Sequence, residues 1–168
     1  FETETKYCYS KLEEIGNVML TAISLYLGLD EDHFSNRVNN GISILRPIHY
    51  FPIKNIDEVE EGAVRAAEHG DINLITLLMG ASAEGLQVKR MDGEWIPVLP
   101  QTDSLVVNVG DMLERYTNGV LKSTIHRVVN PPKEKLGSSR YSIPFFMHAN
   151  PEMKLNCLPQ CITEERPK

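Results

Sequence analysis

From Gly41 onward the apolar residues stop recurring every three or four positions, and that change limits the fold more than any other feature. They fall instead into short runs of strand-forming residues, each ended by proline, glycine or asparagine. Ile42, Ile44, Ile48, Tyr50 and Phe51 sit in pieces broken by Pro47 and Pro52. Residues 72–79 form a longer apolar run. Residues 86–90 and 95–99 flank Met91-Asp92-Gly93-Glu94, where Asp-Gly supplies the backbone freedom that a tight hairpin needs. Runs at 105–109, 122–129 and 140–148 follow, with breaks at 110, 118–119 and 130–137. The acidic stretch 55–67 reads as loop, with or without a helical turn. Many short strands with little helix after residue 35 predict an antiparallel all-β sandwich or barrel.

Ahead of Gly41 the period is helical. Leu12, Ile15, Met19, Ala22, Ile23 and Tyr26 make one stripe on a helix predicted over 7–28. Gly28 suits its C-terminal cap, and Asp30 can open a short helical turn at 31–34. Three parts follow: a helical support segment at 1–40, a β core at 41–150 and an irregular tail at 151–168. The chain begins at Phe1 and ends in the polar run 163–168, so it reads as a piece of a longer protein.

Composition narrows the function. At 42% hydrophobic and 24% charged residues, the chain resembles an ordinary globular domain of a size that supports one core. A net charge of -6 offers no footprint for nucleic acid, and no run is long enough to span a bilayer. No leader-like pattern opens the chain. Cys8, Cys157 and Cys161 are too few and too odd for a disulfide framework. Cys157 and Cys161 lack two further zinc ligands nearby. Reduced thiols and a cytoplasmic location are the expectation.

Three pairs of polar residues carry the chemistry. His69-Gly70-Asp71 places an imidazole and a carboxylate two residues apart, on one face of an extended segment. Alone, the pair is a weak signal and reads more often as a surface turn before a strand. His126 lies in the alternating segment 123–129, where a histidine is a hydrogen-bonded core residue or a ligand. Two histidines and one carboxylate together would make the facial triad of non-haem iron(II) oxygenases. Arg140 and Ser142 share a face in a segment whose neighbours Tyr141, Ile143, Phe145 and Phe146 are apolar. An arginine there is either at an edge or paired with an anion, because a buried unpaired charge is costly. A guanidinium fork with a hydroxyl beside it grips a carboxylate.

These segments, with Gly85–Val88, Asp92–Val98 and Leu105–Gly119 between them, cover residues 69–146 almost continuously. In that order they closely resemble the jelly-roll core of the 2-oxoglutarate/Fe(II)-dependent dioxygenases. The matching branch includes isopenicillin N synthase and the plant flavonoid and gibberellin oxygenases. The resemblance implies a double-stranded β-helix in which His69, Asp71 and His126 ligate Fe(II). Arg140 and Ser142 would hold the distal carboxylate of 2-oxoglutarate, the cosubstrate that reacts with O2. The implied activity is hydroxylation or desaturation of a small organic molecule, coupled to oxidative decarboxylation of the keto acid. Phe146, in phase with Arg140 and Ser142, would line the substrate pocket if Pro144 keeps the alternation.

Two departures stand out. Where the family often has Asn-Tyr-Tyr-Pro, this chain has His49-Tyr50-Phe51-Pro52. Phe51 cannot supply the second tyrosine's hydroxyl near the cosubstrate, so that contact is absent or is replaced by Tyr50 or His49. Gly70 also stands where Thr, Ser or Glu is commoner between the ligands, which spares metal binding but would remove one side chain from the mouth of the site. Two other functions fit the residues. A same-fold Fe(II) oxidase, like isopenicillin N synthase, would use Arg140 and Ser142 on the substrate's own carboxylate. A jelly-roll binding module would carry out no catalysis. The sequence leaves the prime substrate and the oligomeric state open.

Overall fold

The computed structural model describes residues 1–55, 59–60, 62–99 and 101–168. Among them nine strands occur: β1 (Ile44–Leu45), β2 (Ile48–Tyr50), β3 (Val64–His69), β4 (Ile75–Met79) and β5 (Leu86–Lys89), then β6 (Trp95–Pro97), β7 (Leu105–Val109), β8 (His126–Val129) and β9 (Arg140–Met147). They form two antiparallel sheets. One has the order β1-β9-β4-β7, with β2 also paired to β9, and the other the order β3-β8-β5-β6. Residues of both sheets line one cavity between them, which is the jelly-roll expected from the sequence.

Alternation along β9 and β4 sets the layers. Arg140, Ser142, Pro144 and Phe146 face the cavity, so Pro144 does not disturb the phase. Phe145 and Met147 point the other way and are buried with Ile75 and Leu77 of β4. Helix α1 (Glu2–Tyr26) packs on this outer face, with the Tyr9 ring edge-on to Phe145 at 5.0 Å. Its buried line is Leu12, Gly16, Leu20 and Ser24. The stripe predicted through Ile15 and Tyr26 is therefore rotated, since both are exposed, at 41% and 73%. Gly16 is the reason: its missing side chain lets the helix approach the Met147 sulfur, and that approach fixes which face is buried. Gly28 closes the helix at φ 68°, and the Leu29 amide reaches back to the Ser24 carbonyl. After a turn at 31–34, a short helix α2 (Ser35–Val38) buries Phe34 and Val38.

Several boundaries differ from expectation, among them those of α1, which runs Glu2–Tyr26 and not 7–28. Of the predicted loop 55–67, residues 56–58 and 61 lie outside the described residues, and 64–67 belong to β3. Val-Arg-Ala-Ala-Glu-His has no apolar alternation, so only its pairing with β8 makes it a strand. The run at 72–79 becomes β4 only from Ile75, and that at 122–129 becomes β8 only from His126. Helix α3 (Asp111–Tyr116) has six residues, too few to show a period. The hairpin at Asp92-Gly93 is as predicted, with Gly93 at φ 92° and Lys89 opposite Trp95. All three cysteines are free. No described helix is long and apolar enough to cross a membrane.

Candidate metal centre and cosubstrate pocket

Strands β3 and β8 place His69 directly opposite His126, where a register shift in β3 turns the end of the strand. The rings are 4.4 Å apart, centre to centre. In each, Nδ1 lies beside a backbone carbonyl two residues back: Ala67 at 2.8 Å for His69, and Thr124 at 3.0 Å for His126. A carbonyl can only accept, so both Nδ1 atoms carry the proton and both Nε2 atoms present a lone pair. Asp71 follows β3 and is 6% exposed. Its Oδ1 is 3.8 Å from Nε2 of His126. One ligand atom from each of the three residues lies within 4.8 Å of the others. Two neutral nitrogens and one carboxylate oxygen on one side suit an octahedral iron(II) that keeps open positions. His69 is solvent-exposed, so the site opens outward.

Sequence reasoning missed the residues that orient Asp71. Its Oδ2 accepts hydrogen bonds from Thr76 Oγ1 at 2.6 Å and Asn108 Nδ2 at 2.9 Å. Thr76 in turn accepts from Asn73 Nδ2 at 3.0 Å. With Oδ2 occupied, Oδ1 is the oxygen left for a metal. The backbone is fastened as well, since the amide of Asp111, which opens α3, donates to the Asp71 carbonyl at 2.7 Å. The only sequence signal was a polar residue inside an otherwise apolar strand, as Thr76 and Asn108 both are. Gly70 leaves no vacant mouth. A side chain there would press on Asp111 Oδ1 and Ser123 Oγ, at 3.0 and 3.1 Å from its Cβ.

Thr76 pairs with Phe146 across β4 and β9, so Phe146 stands level with the triad. Arg140 is six residues down the same face of β9, at the far part of the same cavity. Opposite it on β2 is Tyr50, and opposite Ser142 is Ile48. The Arg140 guanidinium lies 5.1 Å from the Tyr50 ring centre. Its Nε donates to the carbonyls of Ala83 and Glu84, but its Nη1 is buried with no partner among the described residues. Burial pushes the guanidinium below its ordinary pKa, Tyr50 opposes this and Arg65 adds to it. A carboxylate fits that orphaned donor. Of the two candidates to replace the missing tyrosine, Tyr50 lines the cavity, while His49 stacks on Tyr141 outside it. Phe51 is 72% exposed and outside the cavity. At the triad end, the guanidinium of exposed Arg46, unremarked in the sequence, lies over the Phe146 ring at 4.7 Å.

Residues 42–149 match the family model of the 2OG-Fe(II) oxygenase superfamily. The chain belongs to this superfamily. A 2-oxoglutarate-Fe(II) type oxidoreductase of Emericella nidulans is 38% identical over 99% of this chain and 47% of its own length. The crystal structure of a 2OG-Fe(II) oxygenase family protein from Caulobacter crescentus superposes with a TM-score of 0.89 at 47% identity, covering 99% of this chain and 53% of that one. A full-length Neurospora crassa protein, solved in complex with alpha-KG, gives 0.90 at 35% identity, covering 100% and 53%. This superfamily member thus spans about half the length of the relatives it matches.

Proposed function

We propose that this chain carries the catalytic core of an iron(II)- and 2-oxoglutarate-dependent oxygenase that hydroxylates or desaturates a small organic molecule. One observation carries the reading. A single cavity has two histidine lone pairs and a free carboxylate oxygen at one end, and at the other a buried guanidinium whose Nη1 has no partner among the described residues. His69, Asp71 and His126 would hold the iron. When bound, it supplies redox activation of dioxygen rather than hydrolytic Lewis acidity. Arg140 and Ser142 would bind the distal carboxylate of the keto acid and fix its reach toward the triad. The apolar walls, including Leu78, Val88, Val106 and Val128, keep water from that charge pair and strengthen it. Phe146 and Arg46 would meet the prime substrate at the mouth. Relatives solved in complex with thymine or with JA support a small-molecule substrate.

Anaerobic titration of the Fe(II)-loaded protein with 2-oxoglutarate tests the reading. A saturable visible charge-transfer band is expected. Asp71→Ala and His126→Ala should lose iron and band together. Arg140→Ala should keep the iron and need at least about tenfold more keto acid, through loss of a charge-assisted contact. Iron binding without a band would favour the same-fold oxidase, and ligand binding without iron would favour a binding module.

A further inference from the structure

Arg140 also forms part of the wall of a second depression, of about 520 Å³, between the turn at 82–84 and the loop at 131–138. Arg65 of β3 lines it with Arg140, while Lys135 and Ser138 stand exposed at its rim. All three guanidinium nitrogens of Arg65 are buried and without a hydrogen-bond partner among the described residues. A guanidinium that is desolvated and unpaired is among the costliest groups a fold can keep, and a second guanidinium nearby raises that cost. Arg140 is that neighbour, since Arg65 helps to depress its pKa.

The cosubstrate does not resolve this. Ala66 lines the metal cavity but Arg65 does not, so a carboxylate on the cavity side of Arg140 leaves Arg65 unneutralised. Nor do acidic side chains of the depression. Among the described residues Glu84 is its one carboxylate, and it forms no ion pair. Three cations around one concave site, with every guanidinium nitrogen of Arg65 and Nη1 of Arg140 unpartnered among the described residues, have the chemistry of an anion site.

We propose that this depression binds a small oxyanion, a carboxylate or a phosphate, with Arg65 as its principal ligand, Lys135 and Ser138 closing over it and Arg140 shared with the metal cavity. The triad takes no part in this site, and Arg140 is the one residue it has in common with the oxygenase reading.

The test is calorimetric titration with inorganic phosphate and, separately, acetate, at constant ionic strength set with chloride. Each is run with and without saturating 2-oxoglutarate and Fe(II) under anaerobic conditions. One phosphate or acetate per chain should bind in both states, and the tighter of the two identifies the class. Arg65→Met should weaken it at least about tenfold, and Lys135→Met by a smaller factor, as loss of charge-assisted bonds requires. Should Arg65→Met fail to fold, Arg65→Gln and the exposed Lys135→Met still report. Binding that 2-oxoglutarate abolishes would place the anion in the metal cavity and overturn the proposal. Binding equal in wild type and the Arg65 variants, or no binding of either anion, would also overturn it. Failure of 2-oxoglutarate to bind would count against the oxygenase reading alone, since the titration without it still reads this site.

Discussion

Asp71 shows how much of a candidate metal site lies outside the residues that would ligate the ion. Its buried carboxylate gives Oδ2 to Thr76 and Asn108 and keeps Oδ1 toward His126. Replacing Thr76 by valine keeps the shape but removes the donor. The carboxylate can then rotate, and metal affinity should fall about 10- to 100-fold, as is usual when an outer-shell partner is lost. Competition for Co(II) against a chromophoric chelator would measure this. Unchanged affinity would mean that Asn108 alone sets the orientation. The candidate ligands were legible through the resemblance of the whole stretch 69–146, because His69-Gly70-Asp71 alone reads as a surface turn and His126 alone as a core histidine. Thr76 and Asn108 were not, because a lone polar residue in an apolar strand does not say what it bonds, and the bond from Asn108 to Asp71 spans 37 positions of chain. Tyr50 stands between these cases. Its segment departed from the family pattern, and only the pairing of β2 with β9 showed that it, rather than His49 or Phe51, faces the cavity.

Elements were legible where a period or a turn residue marked them. The hairpin at Asp92-Gly93, the alternation of β9 and the glycine cap at Gly28 are local effects, and all could be read directly. Strand β3 and helix α3 exist for tertiary reasons. The amides at the start of α3 donate to the carbonyls of Asp71, Ile72 and Asn73, and the Gly110 amide donates to that of Leu74. The helix thus clamps the loop that carries Asp71 and leads into β4. Gly110 permits this closeness, since a Cβ there would collide with the Asn73 carbonyl oxygen and side-chain Oδ1. Gly110→Ala should therefore cost about 1–3 kcal/mol, the usual cost of overpacking. Urea unfolding would show it as a lower midpoint, and the amides of Asp111 and Met112 should exchange faster. The same variant should bind metal more weakly although residue 110 touches no ligand. A loss of stability with intact metal affinity would show that the clamp supports the fold but not the site.

At the scale of the whole molecule the site ties separate layers together. His69 and His126 belong to one sheet, while Asp71 is held by Thr76 and Asn108 of the other. Farther out, His33 bonds through Nε2 to the Tyr116 hydroxyl at 2.9 Å and so joins the turn after α1 to α3. Burial lowers its pKa, Arg37 adds to this, and Asp30 and Asp32 oppose it. The unfolded histidine therefore takes up a proton more readily than the folded one. Stability tied to His33 is complete above the unfolded value, about 6.5, and is lost as pH falls through it toward the lower folded value. Urea midpoints of His33→Gln should accordingly fall less than those of wild type between about pH 7.5 and 5.5. An equal fall in both would remove His33 from the account. Metal loading should act on the same global equilibrium, because only the folded chain brings the three ligands together. At a free Fe(II) or Co(II) concentration about 100 times the dissociation constant, linkage adds about 2.7 kcal/mol. For a domain of this size that is a rise in melting temperature of about 5–10 °C. Differential scanning calorimetry with and without a chelator would read it, and Asp71→Ala should show no difference between the two. A rise that persisted in Asp71→Ala would place the stabilising metal elsewhere. A rise confined to wild type would show that closing the triad pulls both sheets into one cooperative unit.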